Sequence, residues 1–364
     1  MSNRSLRAVY FFHFSNNQRF LNVVGCLKSC RIKKILGKYC YLEPVNIKKH
    51  LKDLFKNFSK DKKGTDWIYM PQGPFKNEIS LKIDSDTPSE YWAGHGSLMH
   101  TNMTADIDVN PPDEVRIYVF ASTQHALPSF PLADNDSDGY HAQYSFNIVD
   151  YRALLRAALV NMDHWVTDGK SAPPSQHPRI DDGTAVTPQE LSSSFEKIPG
   201  GKLPNPMRRF TRLDFGPDPF VPTKIPVEIG KVYPNLVSAV DDDANEIAGI
   251  QLPFISVPLG THMGWNLRHQ DIGGADQVIG TGGASGGTLR GSTIPFAATS
   301  KDRKEVGDPR LSVEERYASK SQYLELVEQA ATKLITQRYI LKEDIEDIKQ
   351  QAAEHYDLFL RRGV

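Results

Sequence analysis

The chain has 364 residues, 39% of them apolar and 24% charged, enough to bury a full core in one large domain or two small ones. No stretch reaches the roughly 18 uncharged apolar residues that a membrane span needs. The short apolar run at residues 8–12 is too brief for a signal-peptide core, so export is not expected and a cytoplasmic compartment is the default.

The formal net charge of −1 hides a division along the chain. Residues 1–63 hold 15 Lys/Arg against 3 Asp/Glu, a net of +12, and the remainder carries −13. All three cysteines (Cys26, Cys30, Cys40) lie in this first segment. They lack the paired spacing of a zinc site, with only His13 or His50 as poor partners, and read as unpaired thiols in a reducing compartment. Clustered lysines attract phosphate, and Tyr10, Phe11, Phe12, Phe14 and Phe20 have faces on which bases can stack. No known binding module is resembled, so nucleic acid is not expected as a partner. The composition shift sets residues 1–65 apart as a basic segment, unrelated to the rest or poorly ordered, and gives residues 66–364 to a folded domain.

In chain order, Glu78-Ile79-Ser80-Leu81-Lys82-Ile83 alternates strictly and predicts a strand with Ile79, Leu81 and Ile83 on one face. Asp84-Ser85-Asp86-Thr87-Pro88 has the composition of a turn or loop. A short helix is expected to open the stretch 90–101, which contains His95 and His100. A second strand is expected over 114–121, from the alternation of Val115, Ile117 and Val119, followed by the polar loop Ser122-Thr123-Gln124-His125. Asp150 caps a predicted helix to about Asp168, with Leu154, Leu155, Ala158, Leu159, Met162 and Trp165 as its core stripe. Residues 169–234 are dense in Pro and Gly and predict a long wrapping excursion or lid. Ser312-Val313-Glu314-Glu315 is a capping box. It opens a helix expected to run on through Leu324, Val327, Ala331, Leu334 and Ile335. A second helix carries Ile345, Ile348, Ala352 and Phe359.

Two loops at predicted strand ends carry groups suited to proton transfer. One holds the acids Asp84, Asp86 and Glu90, the other His125. An imidazole takes a proton from a nucleophile, and a carboxylate fixes its tautomer and stabilises the imidazolium. Asp106 and Asp108 are further candidates for the acid.

The segments Ser89-Glu90-Tyr91-Trp92, Ser97-Leu98-Met99-His100-Thr101, Val115-Arg116-Ile117-Tyr118 and Thr123-Gln124-His125 resemble, in this order, a family of large alpha/beta-hydrolase-domain proteins. The likeness continues through Leu155-Arg156-Ala157-Ala158-Leu159, Trp165-Val166-Thr167-Asp168-Gly169 and Pro173-Pro174-Ser175. It runs on through Val240-Asp241 with Asn245-Glu246, Gly264-Trp265-Asn266-Leu267-Arg268, Pro295-Phe296-Ala297, Asp308-Pro309-Arg310-Leu311-Ser312 and Glu315-Arg316-Tyr317. It covers about residues 75–360. The resemblance implies an α/β fold: an incomplete alpha/beta-hydrolase-like sheet with a long Pro/Gly-rich wrapping segment and C-terminal helices. It aligns His125 with the catalytic histidine and Glu90 with the acid, and implies hydrolysis of a small ester-like substrate without cofactor or metal.

The family's serine-bearing strand–turn–helix elbow is expected ahead of the matched region, and residues 1–74 contain no Gly-x-Ser-x-Gly. This chain accordingly reads as a truncated or rearranged member, or as the partner of a missing N-terminal half or of a second copy. Gly283-Ala284-Ser285-Gly286-Gly287 does fit the elbow pattern. It follows the thin strand signal Gln277-Val278-Ile279, precedes a poor helix start, and comes after the histidine, so a glycine-rich connection is the plainer reading. Trp265 and Arg268 either line a substrate pocket or pack the wrapping segment. Two functions remain open: an esterase-like serine hydrolase, and an inactive hydrolase remnant serving as a binding module.

Overall fold

The computed structural model describes residues 81–361, apart from 129, 138, 206, 208, 218–222 and 280–289, and the backbone of two short strands, Ile35–Leu36 and Tyr41–Leu42. The basic N-terminal segment outside those strands, the three cysteines, the start of the first predicted strand and Ser285 lie outside the described residues. The chain divides into two units: residues 1–81 with 213–230, and residues 82–212 with 231–364. In the first, Ile35–Leu36 pairs antiparallel with Tyr41–Leu42, and Lys224 Nζ bridges Asp214 at 2.6 Å and Glu228 at 2.7 Å. All that follows concerns the second.

Two parallel strands organise it. Strand β1 (Lys82–Asp86) runs beside β2 (Val115–Val119), in register from Lys82 opposite Val115 to Asp86 opposite Val119. Asp84-Ser85-Asp86, expected as a turn, is thus strand. The N–H of Phe120 donates to the Asp86 carbonyl at 2.9 Å and carries the pairing to the last residue of β1. Pairing with a buried neighbour overrides the weak β-propensity of Asp and Ser. On its other edge β2 bonds to Gln176 and to Ile250.

Both faces of β2 are covered, as in parallel sheets generally. Tyr118 and Phe120 face one core cluster and Val119 the other. The first cluster is roofed by helix α2 (Arg152–Asp168) and by two C-terminal helices, α5 (Lys320–Thr336) and α6 (Ile345–Arg361). Val327, Ala331, Ile348 and Ala352 meet at their seam and are almost fully buried, each large aliphatic there contributing about 1.5–3 kcal/mol by leaving water. The second cluster is aromatic: Trp265 packs against Trp92 (ring centroids 5.4 Å apart) and Phe195 (5.5 Å). Trp265 therefore packs the interior, and Arg268 spends its guanidinium on the carbonyls of Ile272 and Gly273.

Helix α2 buries Ala153, Leu154, Ala157, Asn161 and Trp165, a stripe rotated from the expected one, and Leu159 is exposed. Alanines on the inner face admit close approach, and Asn161 is tolerated because its Nδ2 donates to the Arg338 carbonyl at 2.7 Å. The capping box at Ser312 forms: the Ser312 N–H and hydroxyl donate to Glu315 at 2.9 and 2.7 Å. It opens only one turn, α4 (Val313–Arg316), and α5 starts afresh with Ser319 as its cap. The described part of residues 169–234 holds only short elements, among them helix α3 (Ser192–Glu196). A three-stranded antiparallel sheet joins β3 (Ser145–Phe146) to β5 (Ser292–Pro295) and β5 to β4 (Gly260–Met263). Among the described residues no helix is long and apolar enough to cross a membrane.

Candidate active site

The β1 strand passes at Thr87 into a one-turn helix, α1 (Pro88–Trp92). Thr87-Pro88-Ser89-Glu90 is itself a capping box with proline at the first helical position. The Thr87 N–H and hydroxyl both donate to Glu90 Oε2, at 2.9 and 2.6 Å. The other carboxylate oxygen, Oε1, bonds to His125 Nδ1. One glutamate thus caps a helix and grips an imidazole with different atoms.

The charge balance assigns the proton in that bond. Burial alone pushes the Glu90 carboxyl up. The hydrogen bond from His125, the charge of that ring and the two bonds from Thr87 outweigh it, and hold Glu90 below its ordinary value. An ionised carboxylate only accepts, so Nδ1–H donates, and the neutral ring carries its lone pair on Nε2. The His125 side chain remains 28% exposed.

The backbone of His125 is fixed at both ends. Its N–H donates to Ser89 Oγ at 3.0 Å, and the Ser89 hydroxyl donates to the Gly264 carbonyl at 2.5 Å. Its carbonyl accepts the Tyr151 hydroxyl at 2.9 Å. Gly264 permits the close approach of β4 to α1: a Cβ there would lie 2.4 Å from the Pro88 Cβ and 2.6 Å from the Ser89 nitrogen. Preceding residues of the loop are also held. The Ser122 carbonyl accepts Asn147 Nδ2 at 2.9 Å, and Gln124 Oε1 accepts the Gly291 N–H at 2.7 Å.

The other acids named from the sequence sit elsewhere or play a different part. Asp84 pairs with Lys82 at 2.6 Å. Asp106 accepts bonds from Asn102 and Thr104 at the surface. Asp108 accepts the backbone N–H groups of Ile180 and Asp181. Asp86 lies near the pair, but burial, and next the negative charges of Glu90 and Asp84, push its carboxyl up to about 8. At neutral pH it keeps its proton while Glu90 does not.

His95 packs edge-on against Phe210. His100 is fully buried, its Nε2 2.7 Å from the Tyr91 hydroxyl and its ring stacked on His177 at 4.2 Å. Burial pulls it down to about 4, so it is neutral and takes the tyrosine proton as acceptor. No spacing in the chain pairs His141 with His269, yet with Asp271 their ligand atoms lie within 4.8 Å of one another. Their rings stack 3.8 Å apart at 15°. Two lone pairs in nearly parallel planes at that spacing do not converge on one cation without rotation of a ring.

Sequence reasoning missed Thr87, Ser89 and Tyr151. The Thr-Pro-x-Glu spacing signals Thr87. Nothing in the sequence signals the other two, which act across long separations.

Residues 84–350 match the family model described as alpha/beta hydrolase domain. No curated protein and no solved structure matches the chain.

Proposed function

Because the chain belongs to the alpha/beta hydrolase domain family, we propose that Glu90 and His125 are the acid and base of an ester-hydrolysing relay. The observation that carries this reading is the Glu90 Oε1–His125 Nδ1 hydrogen bond at the rim where two adjacent parallel strands end. In the relay, a nucleophilic hydroxyl loses its proton to His125 Nε2 as its oxygen attacks the acyl carbon. The imidazolium so formed is stabilised by Glu90 and returns the proton to the leaving alkoxide, which leaves an acyl-enzyme. A water that gives its proton to the same Nε2 then attacks the acyl carbon, and that proton goes back to the nucleophile's oxygen as the acid product departs. Glu90 stays ionised throughout. The substrate class is a small acyl ester.

The relay needs a nucleophile. Of the two serines that flank the pair in the fold, Ser89 donates its hydroxyl to the Gly264 carbonyl and the Ser122 oxygen accepts the Glu246 N–H. The nucleophile is therefore sought elsewhere, on another chain or at a serine away from this pair, with Ser285 one candidate. Occupation of the two nearby hydroxyls equally favours the second reading, an inactive relative that binds a ligand.

Incubation with a fluorophosphonate probe separates the two. Covalent labelling that vanishes in His125→Ala supports the relay, and mapping the labelled peptide, with Ser285→Ala as control, identifies the nucleophile. A chain that takes up no probe, alone or with an added partner carrying the elbow, overturns it in favour of the binding module.

A further inference from the structure

We infer that Glu246 is a positioning residue for His125, acting through the backbone of Ser122; this rests on the acid–base reading of His125 above. Ser122 opens the four-residue loop that ends in His125, and it takes a left-handed conformation (φ 56°) that side-chain-bearing residues rarely adopt. Such a conformation persists only where the surroundings hold it. Here they do. The Ser122 N–H donates to Glu246 Oε2 at 2.8 Å, and the Glu246 N–H donates back to Ser122 Oγ at 2.8 Å.

Glu246 is deeply buried, and burial pushes its carboxyl up to about 8. At neutral pH it is a protonated, neutral acceptor, suited to a peptide N–H that carries no charge. A carboxyl this deep is costly unless its hydrogen bond is needed.

The acidic turn before it supplies rigidity. Asp241 Oδ1 accepts the N–H groups of Asp243 and Asn245 at 3.0 and 2.9 Å. Asn245 in turn bonds to β4 through His262 N–H (2.8 Å) and the Gly260 carbonyl (3.1 Å). Arg316 closes the outside of the turn on Asp243. The run of aspartates thereby fixes where Glu246 stands, and Glu246 fixes where the histidine loop begins.

The test reads the tautomer of His125 by nitrogen-15 NMR, at a pH where the ring is neutral, together with the rate of fluorophosphonate labelling. An imidazole gripped at Nδ1 by Glu90 holds its proton there, whereas a released ring shifts toward the Nε2–H form. Glu246→Gln keeps a neutral acceptor and is expected to retain the Nδ1–H form and a labelling rate within about twofold of the parent. Glu246→Ala is expected to shift the ring toward Nε2–H and to slow labelling by about tenfold or more, the scale of a small misplacement of a reacting group. If Glu246→Ala does not fold, Glu246→Leu, which fills the space but offers the Ser122 N–H no acceptor, is expected to give the same shift. A tautomer unchanged in a folded Glu246→Ala or Glu246→Leu overturns the inference alone. An Nε2–H ring in the unmutated chain overturns the Glu90–His125 reading itself.

Discussion

Asp86 and Glu90, four residues apart across the junction of β1 and α1, hold protons in opposite ways. Burial acts on both in the same direction. Glu90 has His125 and Thr87 to stabilise its charge, whereas Asp86 faces the charges of Glu90 and Asp84 and is pushed up to about 8. Neighbouring carboxyls driven apart in this manner mark which one orients a base and which stays neutral.

This split is testable with labelling rates. Glu90→Gln removes the ionised acceptor and is expected to slow fluorophosphonate labelling by about 10²–10⁴-fold, the scale seen when a relay loses the acid that orients its histidine. Asp84→Asn, Asp106→Asn and Asp108→Asn are expected to stay within about twofold. Asp86→Asn, replacing an already neutral group, is expected to behave like them. A large loss in Asp86→Asn with none in Glu90→Gln would exchange their roles.

The raised carboxyls also set a pH dependence of stability. For Asp86 and Glu246 the folded value, about 8, lies above the ordinary 3.8 and 4.5. The folded state then binds protons that the unfolded state has released. Their stabilisation is complete below about pH 4 and is lost as pH rises toward 8. Each group contributes a slope of up to about 1.4 kcal/mol per pH unit in that window. Glu90, held below its ordinary 4.5, works the other way: its contribution is present above that value and is lost on acidification. Urea midpoints measured from pH 4 to 9 are expected to fall with pH in the parent chain, and less so in the Asp86→Asn, Glu246→Gln double variant.

Gly264→Ala is expected to damage fold and site together. The added methyl meets backbone of α1 rather than a yielding side-chain tip, so α1 must lift, and the Ser89 link to the His125 N–H goes with it. Overpacking of this kind costs about 1–3 kcal/mol. Thermal unfolding is expected to show that loss. Labelling at a temperature where the variant is folded is expected to fall further than Tyr151→Phe, which removes one hydrogen bond to the His125 carbonyl.

Asp308 and Arg310 form an ion pair at 2.6 Å in which both side chains are almost fully buried. Arg310 also donates to Thr261 Oγ1 and to the carbonyls of Ile294 and Pro295, tying β4 to β5. Asp308→Ala leaves a buried guanidinium charge uncompensated and is expected to destabilise by about 3–5 kcal/mol, read as a lower urea midpoint. Replacing both residues by apolar ones of similar volume is expected to recover much of it.

What could be read from the sequence divides by range. The β2 alternation and the apolar faces of the last two helices are local signals, and the structure has those elements where they were expected. The Ser312 capping box forms too, but it opens a single turn, and the helix carrying Leu324 to Ile335 has its own cap at Ser319. The family likeness over residues 75–360 agrees with the match over 84–350. Asp84-Ser85-Asp86 was misread because composition reports solvent preference, whereas ladder pairing with Val115–Val119 decides strand here. The buried face of α2 differs for a similar reason: which stripe is buried depends on what the helix packs against, and here it is the one carrying Ala153 and Ala157, not Leu159. The Ser122–Glu246 and Ser89–Gly264 bonds span 124 and 175 residues. No periodicity carries information over that distance.

Parallel pairing of β1 with β2 makes chain length, more than side-chain identity, the quantity that sets the meeting of Glu90 and His125. Both strands deliver their following segments to one edge, so the segments 87–89 and 120–124 act as two arms cut to matching reach. Apolar replacements within the strands leave those arms alone. A single inserted or deleted residue in either arm swings its side chain to a different bearing, and no repacking nearby restores it. Within the excursion 93–114, which also buries His100 against Tyr91, the largely exposed stretch 110–113 is where an engineered insertion is expected to be tolerated.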